Sequence, residues 1–279
     1  MDLIHTAAEL RARLRNERSI AFVPTMGNLH AGHLTLVEAA RKRGKCVIAS
    51  IFVNRLQFEP GGDFDRYPRT IDNDCKLLER AGCDVAFAPD EGEMYPVPQD
   101  IVVMPPKASL QLCGDFRPGH FQGVVTVVTK LFNIVAPHIA IFGKKDYQQL
   151  YVIRALVAQL NFGIEIVGAE TVREADGLAI SSRNGYLSRE ERVEAVRLSQ
   201  TLTRIKSRVE GGDRDFHALT KAATEDLAAQ GWRVDYVDVR NRSELVFPGP
   251  KDRELVVLGA AWLGRTRLID NAEMTFAAA

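Results

Sequence analysis

Two histidines three residues apart, His30 and His33, lie in the segment PTMGNLHAGH (Pro24–His33), between an apolar run and an amphipathic one. Imidazoles at this spacing on a first helical turn face the same way. Such a turn also offers unsatisfied N–H groups and a positive dipole end to an anion. Gly27 and Gly32 let a ligand approach the backbone closely. The segment suits phosphate, and the competing reading is a capped turn with two solvated histidines. A zinc protease is a weaker reading, because HExxH needs a glutamate base where this chain has Ala31–Gly32.

Three further segments carry related chemistry. In FVNRLQF (Phe52–Phe58), Asn54 and Gln57 are neutral amides suited to gripping hydroxyls and a carboxylate. In FGKKDYQQL (Phe142–Leu150), Lys144 or Lys145 can reach a phosphate as a point charge, Asp146 can cap a helix, and Gln149 lies one turn on. AISSRNGYLS (Ala179–Ser188) gathers Ser181, Ser182 and the Arg183 guanidinium into an anion-binding set. Alone, the first reads better as plain loop capping, and the other two read equally well as a solvated helix start and a polar surface turn. Phosphate-binding groups from three separate loops, with amides nearby, are a coincidence that a generic βαβ fold does not require.

The elements that must position these residues alternate. Residues 6–17 read as an amphipathic helix, Ser19–Pro24 as a strand, Ala31–Arg43 as a helix and Cys46–Val53 as a strand. Helices near Ile71–Ala81, Gly123–Val135 and Tyr147–Leu160 alternate with strands at Asp84–Ala88, Ile139–Phe142 and Ile164–Val167. This order predicts a parallel sheet with helices on its faces, and the loops at its carboxyl ends open the ligand crevice. After ETVRE (Glu170–Glu174) the pattern changes. Charged helical stretches at Arg189–Glu210 and Asp215–Gln230 precede strands at Arg233–Val239, Leu255–Leu263 and Thr266–Asp270, as in a small α+β domain. The terminal Ala277–Ala279 is expected to fray.

Composition narrows the partners. The chain has 279 residues, with 36 basic and 36 acidic side chains balancing to a formal net charge of +0. That balance argues against a polyanionic nucleic-acid partner and against a polybasic membrane anchor. No apolar run approaches the roughly 18 residues of a membrane span. The N-terminal MDLIHTAAELRARLRNERS carries charges where a signal peptide has its apolar centre, so a cytoplasmic protein is expected. Cys46, Cys75, Cys83 and Cys113 lack CxxC spacing and read as scattered, mostly buried thiols.

Together these segments resemble the pantothenate synthetase (pantoate–β-alanine ligase) family, in the nucleotidyltransferase superfamily related to class I aminoacyl-tRNA synthetases. The resemblance runs in order through PTMGNLHAGH, FVNRLQF, DFDRYPRT (Asp63–Thr70), RPGHFQGVVTVVTKLFNIV (Arg117–Val135), FGKKDYQQL and READGLAISSRNGYLS (Arg173–Ser188). HxGH alone indicates only the superfamily, and its combination with the FVN, KDYQQ and SSRN segments indicates the ligase. The resemblance implies an α/β fold: a doubly wound, Rossmann-like ATP- and pantoate-binding domain over residues 1–171, and a smaller α+β lid over 172–279. It places Met26, Gly27, Asn28, Leu29, His30, Ala31, Gly32 and His33 on the family's ATP loop, with His33 at the proton-donor position. Gly143, Lys144, Lys145, Asp146, Val172, Ile180, Ser181, Ser182 and Arg183 fall on the remaining ATP contacts. Gln57 and Gln149 fall on the pantoate positions, Gln57 also being assigned to β-alanine.

The implied reaction forms a pantoyl adenylate from ATP and pantoate, then the amide with β-alanine, releasing pyrophosphate and AMP. His30, His33, Lys145 and Arg183 are the expected catalytic groups. Mg²⁺ is expected with ATP, without a dedicated set of protein ligands, and Asp74 is available as an outer-sphere partner. The resemblance also implies a homodimer through the N-terminal domains. One departure is Arg55, where the family usually has proline; arginine should loosen the loop and add a cation near the acid substrate. Another is Ile180, often methionine in relatives, a change that backbone contacts to adenine should tolerate. The alternatives are another HxGH nucleotidyltransferase, a fragment related to an aminoacyl-tRNA synthetase, and a non-catalytic nucleotide sensor. The first leaves the FVN and QQ segments without a purpose, the second needs a tRNA-binding surface, and the third does not need His33, Lys145 and Arg183.

Overall fold

The computed structural model describes residues 1–59 and 64–276; Asp63 of the DFDRYPRT segment and the 277–279 terminus lie outside the described residues. The chain divides into two compact units. One comprises Met1–Lys144 and Val152–Glu170, and the other comprises Lys145–Tyr151 and Thr171–Ala279. Residues 145–151 thus belong with the second unit, which a contiguous division at 171 does not anticipate.

In the first unit β1 (Asp2–Ile4), α1 (Ala7–Leu14), β2 (Ile20–Thr25), α2 (Ala31–Arg41), β3 (Cys46–Ile51), α3 (Ile71–Ala81) and β4 (Val85–Phe87) follow in turn. The short α4 (Glu91–Met94) and α5 (Cys113–Phe116) come next. Then come α6 (His120–Val135), β5 (Ile139–Gly143), α7 (Tyr147–Gln159), which belongs to this unit from Val152 on, and β6 (Glu165–Ala169). The six strands form one sheet in the order β1-β4-β3-β2-β5-β6, parallel throughout. Strand order reverses between β2 and β5, so the sheet is doubly wound and its switch point lies where Thr25 and Gly143 end their strands.

Period-two alternation decides what each face of the sheet meets. Ala21 and Val23 of β2 and Val47 and Ala49 of β3 pack with Val37 and Ala40 of α2 and Leu78 of α3. Phe22 points the other way and meets Phe132 of α6 edge-on, with ring centroids 6.4 Å apart. Both faces are therefore covered, which is why these strands are almost continuously apolar. Sequence periodicity missed β1, whose three residues pair with β4 at the sheet edge. Three residues are too few for a period to show.

The second unit contains α8 (Arg189–Glu194), α9 (Val196–Glu210) and α10 (Phe216–Ala229), followed by β7 (Arg233–Asn241), β8 (Glu254–Leu263) and β9 (Thr266–Thr275). The strands form an antiparallel sheet in the order β7-β8-β9. Leu198, Leu202, Ile205 and Val209 make one stripe of α9, and that stripe joins Leu227 of α10 and Val257 of β8 in a single core. The stretch expected as one helix from Arg189 divides at Ala195. Strand β9 runs to Thr275, five residues beyond its expected end at Asp270. Among the described residues no helix is long and apolar enough to cross a membrane.

Candidate active site

The loop after β2 is set by its backbone. Gly27 and Asn28 both take positive φ, 79° and 52°. At Gly27 a Cβ would also stand 3.0 Å from an Asp74 oxygen and from Ile51, so a side chain there would be both strained and crowded. Asp74 of α3 is fully buried and anchors the turn. Its Oδ2 accepts from the Asn28 N–H at 2.9 Å and the Thr70 hydroxyl at 3.0 Å, and its Oδ1 accepts from the Leu29 N–H at 2.8 Å. These bonds give Asp74 the task of holding the loop.

That anchoring delivers His30 to the N-cap of α2 and His33 to its first turn, with ring centroids 4.1 Å apart. The i, i+3 spacing thus brings the two rings together. The His30 backbone N–H donates to His33 Nδ1 at 3.3 Å. A backbone N–H can only donate, so Nδ1 is an acceptor and the neutral ring carries its proton on Nε2. His33 therefore presents a donor from Nε2. A Cβ at Gly32 would lie 3.0 Å from the His30 ring, so glycine leaves that ring its place.

The second segment forms a 3₁₀ turn over Arg55–Gln57, capped by Asn54. Asn54 is buried, where the sequence suggested a crevice-lining amide. Its Oδ1 accepts from the Tyr95 hydroxyl at 2.7 Å, and its Nδ2 faces Gln57 Oε1 and the Gly123 carbonyl, each at 3.1 Å. Asn54 thus holds Gln57 instead of lining a crevice. With its Oε1 held, Gln57 turns its Nε2 to Met26 Sδ at 3.0 Å, which joins the FVN segment to the histidine loop. The Gln57 carbonyl accepts from His120 Nδ1 at 2.9 Å and from Arg117 at 3.3 Å. A Cβ on Gly123 would fall 2.2 Å from the Leu56 carbonyl oxygen, so only glycine lets α6 lie against this turn.

Arg55 is directed away from the role of a substrate cation. Its guanidinium pairs with Glu91 at 3.0 Å and lies over the Phe64 ring, 4.0 Å from the centroid. Lys144, at the carboxyl end of β5, places Nζ 2.5 Å from Glu170. Cys46, Cys83 and Cys113 are buried, Cys75 is half-buried, and none of the four forms a disulfide. Burial pushes the Cys83 thiol up to about 12 and the Cys46 thiol up to about 11, so neither is a nucleophile near neutrality.

In the second unit, Arg173 and Ala179 form an antiparallel bridge, and the Ile180 N–H donates to the Val172 carbonyl at 2.9 Å. Ser181 then caps a 3₁₀ turn over Ser182–Tyr186, its Oγ accepting from the Arg183 N–H at 3.2 Å. Lys145 and Gln149 are both partly buried. Sequence reasoning missed the residues that hold these segments: Tyr95, His120 and Gly123 in the first unit, and Arg173, Asp270 and Asn271 in the second. Gly123 left a signal, as a glycine inside a strong helix pattern. So did the adjacent Asp270–Asn271 pair inside an apolar strand.

Comparison with known proteins agrees with this arrangement. The family model described as Pantoate-beta-alanine ligase matches residues 2–273. This chain belongs to that family. Pantothenate synthetase of Nitrosospira multiformis is 58% identical over 275 residues, covering 99% of each chain. The Chromobacterium violaceum pantothenate synthetase is 59% identical over 275 residues, covering 98% of this chain and 99% of its own. Among solved structures, pantothenate synthetase of Thermus thermophilus superposes with a TM-score of 0.92 at 44% identity, covering 98% of this chain and 99% of that one. The Francisella tularensis pantoate-beta-alanine ligase, complexed with beta-gamma ATP and beta-alanine, gives 0.83 at 30% identity, covering 98% and 97%. The pantoate–β-alanine ligase fold therefore accounts for both units of the chain.

Proposed function

We propose that pantoate and β-alanine are joined here through a pantoyl adenylate, with His33 as proton donor to the phosphates. The chain is an enzyme of the pantoate–β-alanine ligase type, forming an amide with consumption of ATP. A carboxylate is a poor acyl donor until one oxygen becomes a leaving group. The pantoate carboxylate attacks the α-phosphorus, the bond to pyrophosphate breaks, and charge gathers on the phosphoryl oxygens. His30, Lys145, Ser181, Ser182 and Arg183 stabilise that charge by placed donors and positive charge. The amine of β-alanine then attacks the acyl carbon, AMP leaves and the amine gives up a proton. Mg²⁺ enters as the counterion of ATP, keeping several of its waters.

The observation that carries this reading is the His33 tautomer. The His30 N–H on Nδ1 puts the proton of the neutral ring on Nε2, so the ring has the N–H that a proton donor needs. Gln57 supports the pantoate assignment, since its amide is oriented beside the same loop. Gln149 takes the second pantoate position, while Asn54 serves through Gln57. Met26–His33, Gly143–Asp146, Val172 and Ile180–Arg183 are the ATP contacts. The lid role belongs to the second unit.

The chain acts as a homodimer through its first unit. Val97, Ile101, Met104, Leu110 and Phe116, within one twenty-residue stretch of that unit, are all exposed large apolar side chains, which supports a partner surface there. It operates in the cytoplasm, to which four cysteines outside any disulfide are suited.

Incubation of the full chain with ATP, Mg²⁺ and pantoate should support pyrophosphate–ATP exchange, and adding β-alanine should yield AMP and the amide. Exchange without amide would overturn the acceptor, and no exchange would overturn the adenylate.

A further inference from the structure

Asn271 of β9 holds two separate segments of the second unit at once. Its side-chain Nδ2 donates to the Lys145 carbonyl at 3.0 Å. Its own carbonyl accepts from Arg173 Nη2 at 3.3 Å. The first contact fixes the backbone of KKDYQQ and the second fixes the start of READGLAISSRN. Its neighbours reinforce both. Asp270 takes the Arg173 guanidinium in a two-pronged pair, at 2.7 and 2.9 Å, and its Oδ1 also accepts the Asn271 N–H at 2.8 Å. Glu273 accepts the Tyr147 hydroxyl at 2.8 Å and is in turn paired with Arg242 at 3.3 Å. Strand β9 also packs directly against the 3₁₀ turn of Ser182–Tyr186.

The geometry points to β9 as the element that sets the phosphate-binding segments of the second unit, with Asn271 as the positioning residue they share. The physical basis is rigidity. Asn271 and Asp270 are buried in the middle of a ten-residue strand paired along its length with β8, so neither can follow a loop that moves. A carbonyl tethered to such a strand fixes where the Lys145 ammonium starts. The Arg173 fork fixes the bridge from which Ile180–Arg183 project. The two loops are distant in sequence, and the strand holds them in register with each other.

This inference rests on the assignment of Lys145 and Ile180–Arg183 to the phosphates of ATP, and its test separates the two. Asn271→Leu keeps the branched shape at a larger size and deletes the donor. Tyr147→Phe deletes only the hydroxyl held by Glu273 and leaves the strand intact, so it serves if Asn271→Leu does not fold. In the full chain with ATP, Mg²⁺ and pantoate, Asn271→Leu should lower kcat/KM for ATP in pyrophosphate exchange by roughly 10- to 100-fold, the loss that follows a misplacement of about 1 Å. KM for pantoate should stay within about twofold, a split that a merely structural defect does not produce. Tyr147→Phe should show the same split at a smaller amplitude. Lys145→Ala is the reference. Near-normal exchange in that variant overturns the phosphate assignment and this inference with it. Loss of exchange in Lys145→Ala, with both other variants at wild-type values, overturns the role of β9 alone.

Discussion

Replacing Asp74 by asparagine separates its role as loop anchor from a role as metal partner. The carboxylate accepts two backbone N–H groups and one hydroxyl while fully buried. Asparagine has one acceptor oxygen, so either Asn28 or Leu29 must face an amide NH₂, donor against donor. Losing a hydrogen bond to a charged group costs about 1.5–3 kcal/mol, and weakening the other from charged to neutral costs about 1 kcal/mol more. The total is about 2.5–4 kcal/mol, concentrated on a turn whose Gly27 and Asn28 already hold positive φ. For a unit of this size that lowers the thermal midpoint by roughly 10 °C. The turn carries the histidines, so pyrophosphate–ATP exchange should fall by roughly 100-fold even at temperatures where the variant is folded. Circular dichroism melting and exchange at several Mg²⁺ concentrations are the assays. An unchanged midpoint with a raised Mg²⁺ requirement would refute the reasoning, since a metal partner and not an anchor behaves that way.

Other outcomes follow from the same geometry. His33→Ala should cut adenylate formation by about 10²–10³-fold while leaving the melting midpoint nearly unmoved, and near-normal exchange would remove it from the proton-donor role. Gly123→Ala places a Cβ 2.2 Å from the Leu56 carbonyl, so it should displace the 3₁₀ turn. It should destabilise by about 1–3 kcal/mol and raise KM for pantoate more than for ATP, as measured by initial rates. Arg55→Pro loses the Glu91 pair and the Phe64 stack, yet Asn54 already sits at φ −87°, ψ 109°, where a residue before proline is comfortable. An exposed pair is worth about 0.2–1 kcal/mol and proline about 0.4–1 kcal/mol the other way, so denaturant titration should find stability nearly unchanged. Glu194 is held below its ordinary 4.5 by the Arg197 guanidinium and then by the Trp232 indole N–H. Its contribution is full above that value and is lost as the pH falls through the depressed one. Glu194→Gln should therefore cost about 0.5–1 kcal/mol at pH 7 and converge with the wild type in acid, followed by Trp232 fluorescence.

The alternation of strands and helices in the first unit is legible in the residues alone, because both faces of a parallel sheet must be apolar and the runs at β2, β3 and β5 show it. So is the chemistry of the loops: an imidazole pair, neutral amides, lysines and an arginine are phosphate and carboxylate binders wherever they stand. Which of those residues are held by others depends on how the chain packs. Asn54 and Gln57 look equivalent in FVNRLQF, yet packing against α6 buries one so that it orients the other. Arg55 looks like a substrate cation until Glu91 and Phe64 take it. Asp74 reads as one more carboxylate on α3, and its function appears only when the folded loop brings two N–H groups to it from 45 or more residues away. Asn271 is the extreme case: it lies 126 residues from Lys145, with no local pattern linking them. Local sequence records periodicity and side-chain chemistry. The partner of a buried polar group is set by where distant elements cross, and that is decided when the chain folds.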